Sequence, residues 1–317
     1  MVETRNSGSR GRSLGPRVPP PEAPPTKGTR PRRGLGRLER PTALQILGVA
    51  LLCLLGLVYL YPLFWLLDSS FRPAVDIFQF PPLIVRDFGA ALRGYTLGSF
   101  RSAFGHWNVG LAFGVSVAVT LSGIALTLLV CSLCAYAFAY LEFPFRRALF
   151  AVILGTMMLP MTTMIVPFYR VVRSLGISNS LLGLVIPYSV SAFGVFLLRQ
   201  YYIKIPRSLM ESAKTEGAGH LRIWWSIILP LSRPALAALA IVQFRAIWND
   251  FLFPMIILKS DRLYTLPIRI QVMDSQNFNK PYEAIISAGF ITALVPMVFF
   301  LLFQRHFIEG LAGGTKE

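Results

Sequence analysis

Acidic residues are scarce in this chain. Asp and Glu number 15 against 31 Lys and Arg in 317 residues, so charged side chains make up only 15% of it. A soluble domain carries roughly 25%. Set against a hydrophobic share of 54%, the shortfall excludes an ordinary water-soluble fold and points to a membrane protein. Cysteine and histidine are also rare, at three each. Cys53, Cys131 and Cys134 all fall inside apolar runs, which excludes a disulfide framework. The spacing Cys131-Ser-Leu-Cys134 has neither a second pair nor a soluble βαβ setting, so it reads as helix packing rather than a redox site. His106, His220 and His306 stand apart without metal-ligand spacing, and no metal is expected. A Gly-x4-Gly-Lys-Ser/Thr phosphate loop is missing. The near match at Gly310-Leu-Ala-Gly-Gly-Thr-Lys316 lacks the glycine directly before lysine. No nucleophile–base pairing stands out either, so the chain is expected not to be an enzyme and to hold no cofactor of its own.

The positive excess, +16 overall, is concentrated in the first 42 residues, at Arg5, Arg10, Arg12, Arg17, Lys27, Arg30, Arg32, Arg33, Arg37 and Arg40. This tail, residues 1–42, is rich in Pro and Gly and poor in large apolar side chains, a composition that does not offset chain entropy by burial. It is expected to be disordered and cytoplasmic. The positive-inside rule and attraction to anionic lipid account for its charge, and nucleic acid is not expected as a partner. The apolar run that follows, Leu44 to Leu67, is longer than a signal-peptide core and has no small-x-small cleavage site, so it stays in the membrane.

A spanning helix needs about 20 mostly apolar residues. Six stretches qualify: 43–67, 109–140, 148–169, 181–203, 232–258 and 284–304. The expected fold is therefore all-α, a polytopic membrane protein with six transmembrane helices over 43–304 and a short cytoplasmic tail at 305–317. Pro160, Pro167 and Pro187 break the third and fourth spans, which is tolerated where neighbours or a cavity satisfy the freed carbonyls. With the tail inside, Arg146, Arg147 and the basic loop 204–231 also fall inside, as the charge rule requires. Arg170 and Arg173 then fall outside, against the trend. Gly110, Gly114, Ser116, Ser122 and Gly123 line the second span with small side chains and admit a close neighbour. That neighbour is either a helix of the same bundle or a second subunit.

The fifth span is polar for its place. Gln243, Arg245, Asn249 and Asp250 lie within expected hydrocarbon beside Trp248, where a charge costs about 2.5–3.5 kcal/mol on the lenient insertion scale. These groups should face the bundle interior, a partner or water. They read either as the lining of a hydrophilic substrate's path or as an interhelical network.

The loop between the fourth and fifth spans, Pro206 to Pro230, carries its own short helix. Ser208 with Glu211 three residues on has the form of a capping box, and Gly217 suits the left-handed residue that closes a helix. A small-residue face near Ala213 and Gly217, with a carboxylate at Glu211, makes a knob that another protein can approach closely. Glu211-Ser-Ala213-Lys-Thr-Glu216-Gly217, followed by Ile227-Ile-Leu229-Pro230, resembles the signature cytoplasmic loop of permease subunits of binding-protein-dependent ABC importers. The family usually has Glu-Ala-Ala and Asp-Gly at these points, so the departures keep size and charge. Trp248-Asn249-Asp250-Phe-Leu-Phe-Pro254 resembles the sugar-importing, MalG-type branch. So do Leu175-Gly-Ile-Ser-Asn-Ser-Leu-Leu-Gly-Leu184 and Phe193-Gly-Val-Phe-Leu-Leu-Arg-Gln200, and the likeness runs over residues 43–317.

That resemblance implies a carbohydrate importer subunit in a bacterial-type cytoplasmic membrane with both termini inside. Its implied partners are a second homologous permease, two cytoplasmic ATPase subunits holding ATP and Mg, and an extracytoplasmic solute-binding protein. Glu211, Ala213, Gly217, Ile227, Leu229 and Pro230 would serve ATPase coupling. The end of the chain after Arg305 would reach the ATPases, and the outer 259–283 loop would probe the binding protein. Another polar solute (a polyamine, phosphate or peptide) is the alternative within the class. An ion-coupled secondary transporter would need more intramembrane ionisable residues than this chain shows, and inverted repeats are not evident.

Overall fold

The computed structural model describes residues 43–78, 94–276 and 280–312, the stretch 303–312 by its backbone alone. The basic tail 1–42 and the last residues, 313–317, lie outside the described residues, as does the side chain of His306. Among the described residues every regular element is helical, as an apolar chain crossing hydrocarbon requires, since a helix satisfies its own backbone donors and acceptors.

In chain order the principal helices are α1 Ala43–Ser70, α2 Gly98–Gly105, α3 Val109–Tyr140, α4 Arg146–Thr156, α5 Met161–Ser174, α6 Leu182–Tyr188, α7 Ala192–Tyr202, α8 Arg207–Thr215, α9 His220–Leu231, α10 Arg233–Trp248, α11 Leu252–Ile257, α12 Leu266–Asp274 and α13 Tyr282–Ala312. The chain divides into units Met1–Leu54 and Leu55–Glu317, the boundary falling inside α1. In the first unit the opening of α1 exposes Leu44, Leu47, Leu51 and Leu54 to its surroundings. A helix apolar all round in this way belongs in lipid or against another protein.

Within the second unit α3 is the mast. Its 32 residues reach about 48 Å at 1.5 Å per residue, more than the roughly 30 Å of hydrocarbon. Three apolar clusters are strung along it. Val109 and Ala112 meet α2, α10, α12 and α13 through Ala103, Trp248, Leu266 and Ala288. Val115 and Val119 meet α5, α6, α10 and α11 through Ile165, Tyr188, Ile247 and Phe253. Cys131, Ala135 and Phe138 meet α7, α8 and α9 through Leu198, Met210, Ile223 and Trp224.

Small residues set how closely these helices approach. A Cβ on Gly123 would sit 2.8 Å from Ile247, and one on Gly194 would sit 2.8 Å from the Cys131 sulfur and 3.1 Å from Leu239. Ser116 is buried and accepts the Leu266 backbone N–H at 2.7 Å, near the start of α12. Gly123 and Ser116 thus make contacts inside the bundle, whereas Gly114 and Ser122 face outward.

α1, α3 and α13 are long and apolar enough to cross a membrane alone, and the count rises to six if each bent helix pair is one span. The third span bends by 111° between α4 and α5, and the fourth by 43° between α6 and α7. The proline positions account for both. Pro160 precedes α5 as its extended N-cap residue, and Pro187 lies in α6 one residue before its end. At the second break the Tyr188 carbonyl is met from α3 by the Thr127 hydroxyl at 2.9 Å, and the Cys131 thiol lies 3.4 Å from the Ser191 carbonyl, which also accepts the Val195 N–H as the first bond of α7. Ser191 accepts the Gly194 N–H at 3.1 Å and caps α7. The fifth stretch, expected as one span over 232–258, is instead two helices, α10 and α11, separated at Asn249–Phe251.

Overpacking a tight helix contact costs about 1–3 kcal/mol. Gly194→Val should therefore lower the melting temperature of the detergent-solubilised protein. Gly155→Val, in open space on α4, should leave it nearly unchanged. Equal melting of the two variants would contradict the α3–α7 packing.

Candidate functional site: an exposed loop helix and a polar break in a span

The loop helix α8 is built differently at its two ends. The expected capping box does not form. Pro206, with φ −56°, is the N-cap residue and no side chain caps the helix. The helix therefore begins at Arg207, and Ser208 is already inside its first turn, where its hydroxyl cannot occupy the cap position. The C-terminus closes as a Schellman motif. Gly217 takes φ +83°, its N–H meets the Lys214 carbonyl at 2.9 Å, and the Ala218 N–H reaches back to the Ala213 carbonyl at 2.9 Å. A side chain at Gly217 would meet nothing within 4 Å, so this corner is open.

α8 is pinned by one residue. Met210 is 6% exposed and sits in the cluster formed by the ends of α3, α7 and α9, with Ala213 and Ala218 half-buried against the same cluster. Leu209, Glu211, Lys214 and Gly217 point outward. Ala213 thus packs on the chain's own core, and the outward surface is made by its neighbours. Ile227 and Leu229 are likewise half-buried against that core, while Pro230 is exposed.

α9 explains the geometry of the second half of the loop. Its middle, Trp224–Ile228, is a π-turn, and Ile223, Trp224 and Ile228 are all buried, while Leu221 and Trp225 remain exposed at 72% and 66%. The buried Ser232 hydroxyl folds back onto the Ile228 carbonyl at 2.7 Å, and there the chain bends by 79° into α10. Two phenols tie this region to α3 and α7. The Tyr136 hydroxyl lies 3.1 Å from His220 Nδ1, and the Tyr140 hydroxyl donates to the Tyr202 carbonyl at 2.6 Å. Met210, Tyr136 and His220 carry the attachment of the loop, and none is conspicuous in the sequence. The only hint is that Tyr136 and Tyr140 stand four apart at the end of an apolar run.

The polar residues of the fifth span separate into two sets. Gln243, Trp248 and Asp250 turn inward. Gln243 Nε2 lies 3.3 Å from the Thr127 hydroxyl and 3.4 Å from the Tyr188 carbonyl. Trp248 is 2% exposed, donates its indole N–H to the Thr292 carbonyl at 3.1 Å and stacks on Phe244, which in turn stacks on Phe299. Asp250 accepts the Tyr188 hydroxyl at 2.7 Å and the Phe253 N–H at 3.3 Å, holding the start of α11. Arg245 and Asn249 face outward on α10, with the Asn249 amide donating to the Arg245 carbonyl at 2.9 Å. The interhelical network thus uses one set of these residues, and the other set is left exposed.

At the other side of the bundle a second built region holds residues 259–276. Asn179, at φ 55°, accepts the backbone N–H groups of Lys259 and Ser260, each at 2.9 Å. Arg269 on α12 is 4% exposed, pairs with Asp261 at 2.7 Å and lies over the Tyr264 ring. Sequence reasoning had singled out neither Asn179 nor Arg269 as a structural pin.

The fold and sequence have clear relatives. Residues 128–312 match the family described as "Binding-protein-dependent transport system inner membrane component". The chain is 34% identical over 83% of its length, and 92% of the relative's, to the arabinooligosaccharides transport system permease protein AraQ of Bacillus subtilis. It is 30% identical to the diacetylchitobiose uptake system permease protein NgcG of Streptomyces coelicolor, over 84% of this chain and 87% of that one. It is also 30% identical to the sn-glycerol-3-phosphate transport system permease protein UgpE of Yersinia enterocolitica, over 88% of this chain and 100% of that one. A chain in the crystal structure of a bacterial ABC transporter that imports the acidic polysaccharide alginate superposes with a TM-score of 0.72 at 21% identity, covering 83% of this chain and 96% of that one. That likeness concerns the fold. With a family match over more than half its length and relatives above 30% identity over most of it, this chain belongs to the binding-protein-dependent transport system inner membrane components, the multi-pass permease subunits of ABC importers.

Proposed function

We propose that this permease serves an ATP-driven carbohydrate importer, forming half of the translocation path. The relatives that move arabinooligosaccharides and diacetylchitobiose support a sugar. A phosphate ester is the second reading, favoured by the sn-glycerol-3-phosphate permease. A second homologous permease completes the path. Two ATPase subunits, holding ATP and Mg, sit on the cytoplasmic side with both termini of this chain, and a solute-binding protein delivers the sugar from outside to the 259–283 segment.

The observation that carries the reading is the build of α8. One buried methionine fixes the helix to the ends of α3, α7 and α9, while Leu209, Glu211 and the open Gly217 corner are presented outward. That is the form of a lever: a partner grips the outer face, and displacement passes through Met210 and the Tyr136–His220 contact into the bundle. The spans then rock so that the translocation path opens outward and inward by turns. Glu211 offers the partner a charge, and Gly217 offers clearance.

A large side chain at Gly217 should block the ATPases. Loss of one hot-spot contact, about 2 kcal/mol, weakens binding about thirtyfold. Gly217→Trp should lose ATPase co-purification and solute uptake. Gly217→Asn, which tolerates the left-handed backbone, should keep most of both. Full uptake by the Trp variant would refute the docking surface.

Met210→Ala separates grip from transmission. Removing a buried methionine side chain costs about 2–5 kcal/mol, so α8 should loosen and its amides exchange faster with deuterium. The ATPases should still bind, but ATP hydrolysis should no longer drive uptake. Tight coupling in this variant would mean that the stroke bypasses α8.

A further inference from the structure

We propose that Arg245 reads a negative charge on the transported solute, so that the cargo is a carbohydrate bearing a carboxylate or phosphate. This rests on the carbohydrate-importer reading above and narrows it.

The position is demanding. Arg245 lies about 18 Å along α10 from Arg233 at 1.5 Å per residue, in the last turn before the break at Asn249–Phe251 and flanked by apolar sequence. It faces away from the chain's own core. Among the described residues the ion pairs are Arg72–Asp68, Arg269–Asp261 and Lys280–Asp274, and none includes Arg245. The nearest carboxylate in sequence, Asp250 in the break between α10 and α11, accepts the Tyr188 hydroxyl and the Phe253 N–H and forms no ion pair with Arg245 among the described residues. The adjacent polar side chain, Asn249, donates its amide to the Arg245 backbone carbonyl at 2.9 Å, a bond to the main chain that does not involve the guanidinium.

Contrast Arg199, near the end of α7. Its Nε donates to the Phe138 carbonyl at 3.1 Å and its guanidinium lies 4.3 Å over the Phe150 ring. The fold therefore settles that arginine internally and not Arg245. An unsettled guanidinium within so apolar a stretch is costly against hydrocarbon; it lines a water-filled path or meets a charge from outside the chain. Its planar fork of donors matches carboxylate and phosphate oxygens in bidentate fashion. A passing solute with such a group supplies the missing counter-charge, whereas a neutral sugar leaves the cation solvated and idle.

The test uses the whole importer in proteoliposomes with its binding protein and ATP. The probes are trigalacturonate, glycerol 3-phosphate and the neutral maltotriose. Wild type should take up at least one acidic probe. Arg245→Gln should reduce the ratio of acidic to neutral uptake by about tenfold, the loss of one charged contact, and Arg245→Lys should restore part of it. Both variants should still co-purify with the second permease and the ATPases. An unchanged ratio in Arg245→Gln overturns the inference, as does wild-type uptake of maltotriose alone; that second result leaves the carbohydrate-importer reading standing. Dissociation of the two permeases in Arg245→Gln also overturns it, because the arginine would then be an intersubunit ion pair. Failure to take up either acidic probe overturns the inference and leaves the family assignment standing.

Discussion

Backbone carbonyls released inside a membrane have no water to turn to, and each left unmet costs several kcal/mol. This constraint shapes the molecule more than any single apolar contact. The fourth span breaks after Pro187, and there Thr127 on the neighbouring mast donates to the Tyr188 carbonyl. Gln243 from the fifth span approaches the same Tyr188 carbonyl. Three spans are thus joined at one point by polar atoms that hydrocarbon would not tolerate alone. The close approach this requires is permitted by Gly123 and Gly194, whose missing side chains let helix backbones come near. Polar satisfaction and tight packing are one arrangement here, not two.

The same economy separates the functional faces. Along α10 the inward side is consumed by structure. Trp248 is stacked and hydrogen-bonded into a cluster with Phe244 and Phe299, and Asp250 is committed to Tyr188 and to the start of α11. The outward side keeps Arg245 and Asn249. The loop helix α8 follows the same plan at lower polarity, with Met210 locked in and Glu211 and Gly217 open. Between them lie Tyr136, His220 and the bend at Ser232, through which displacement of the loop can reach the spans.

Much of this was legible in the chain itself. Hydropathy located the three unbroken apolar helices and the two bent pairs between α4 and α7, and Gly217 announced the end of α8 because a helix commonly closes with a left-handed residue. The capping box was not legible in the same way. Ser208 and Glu211 have the right spacing, but Pro206 fixes the backbone one residue earlier and takes the cap position itself. Spacing states which bonds are possible; the register of the first turn decides which are made. The continuous fifth span failed for a related reason. Asn249 and Asp250 hydrogen-bond near their own backbone and stop α10 where an apolar count alone would continue it.

What the sequence determined by itself was therefore the solvent and the class: too few charges for water, enough apolar runs for six crossings, and a polar loop of recognisable family pattern. These depend on composition and local spacing, which survive without a fold. Only the tertiary structure decided which polar side chains are spent on neighbours and which remain open. Gln243 finds Thr127 across 116 positions of sequence, and Asp250 finds Tyr188 across 62. Contacts at such separations are set by how helices pack, and local spacing carries no record of them.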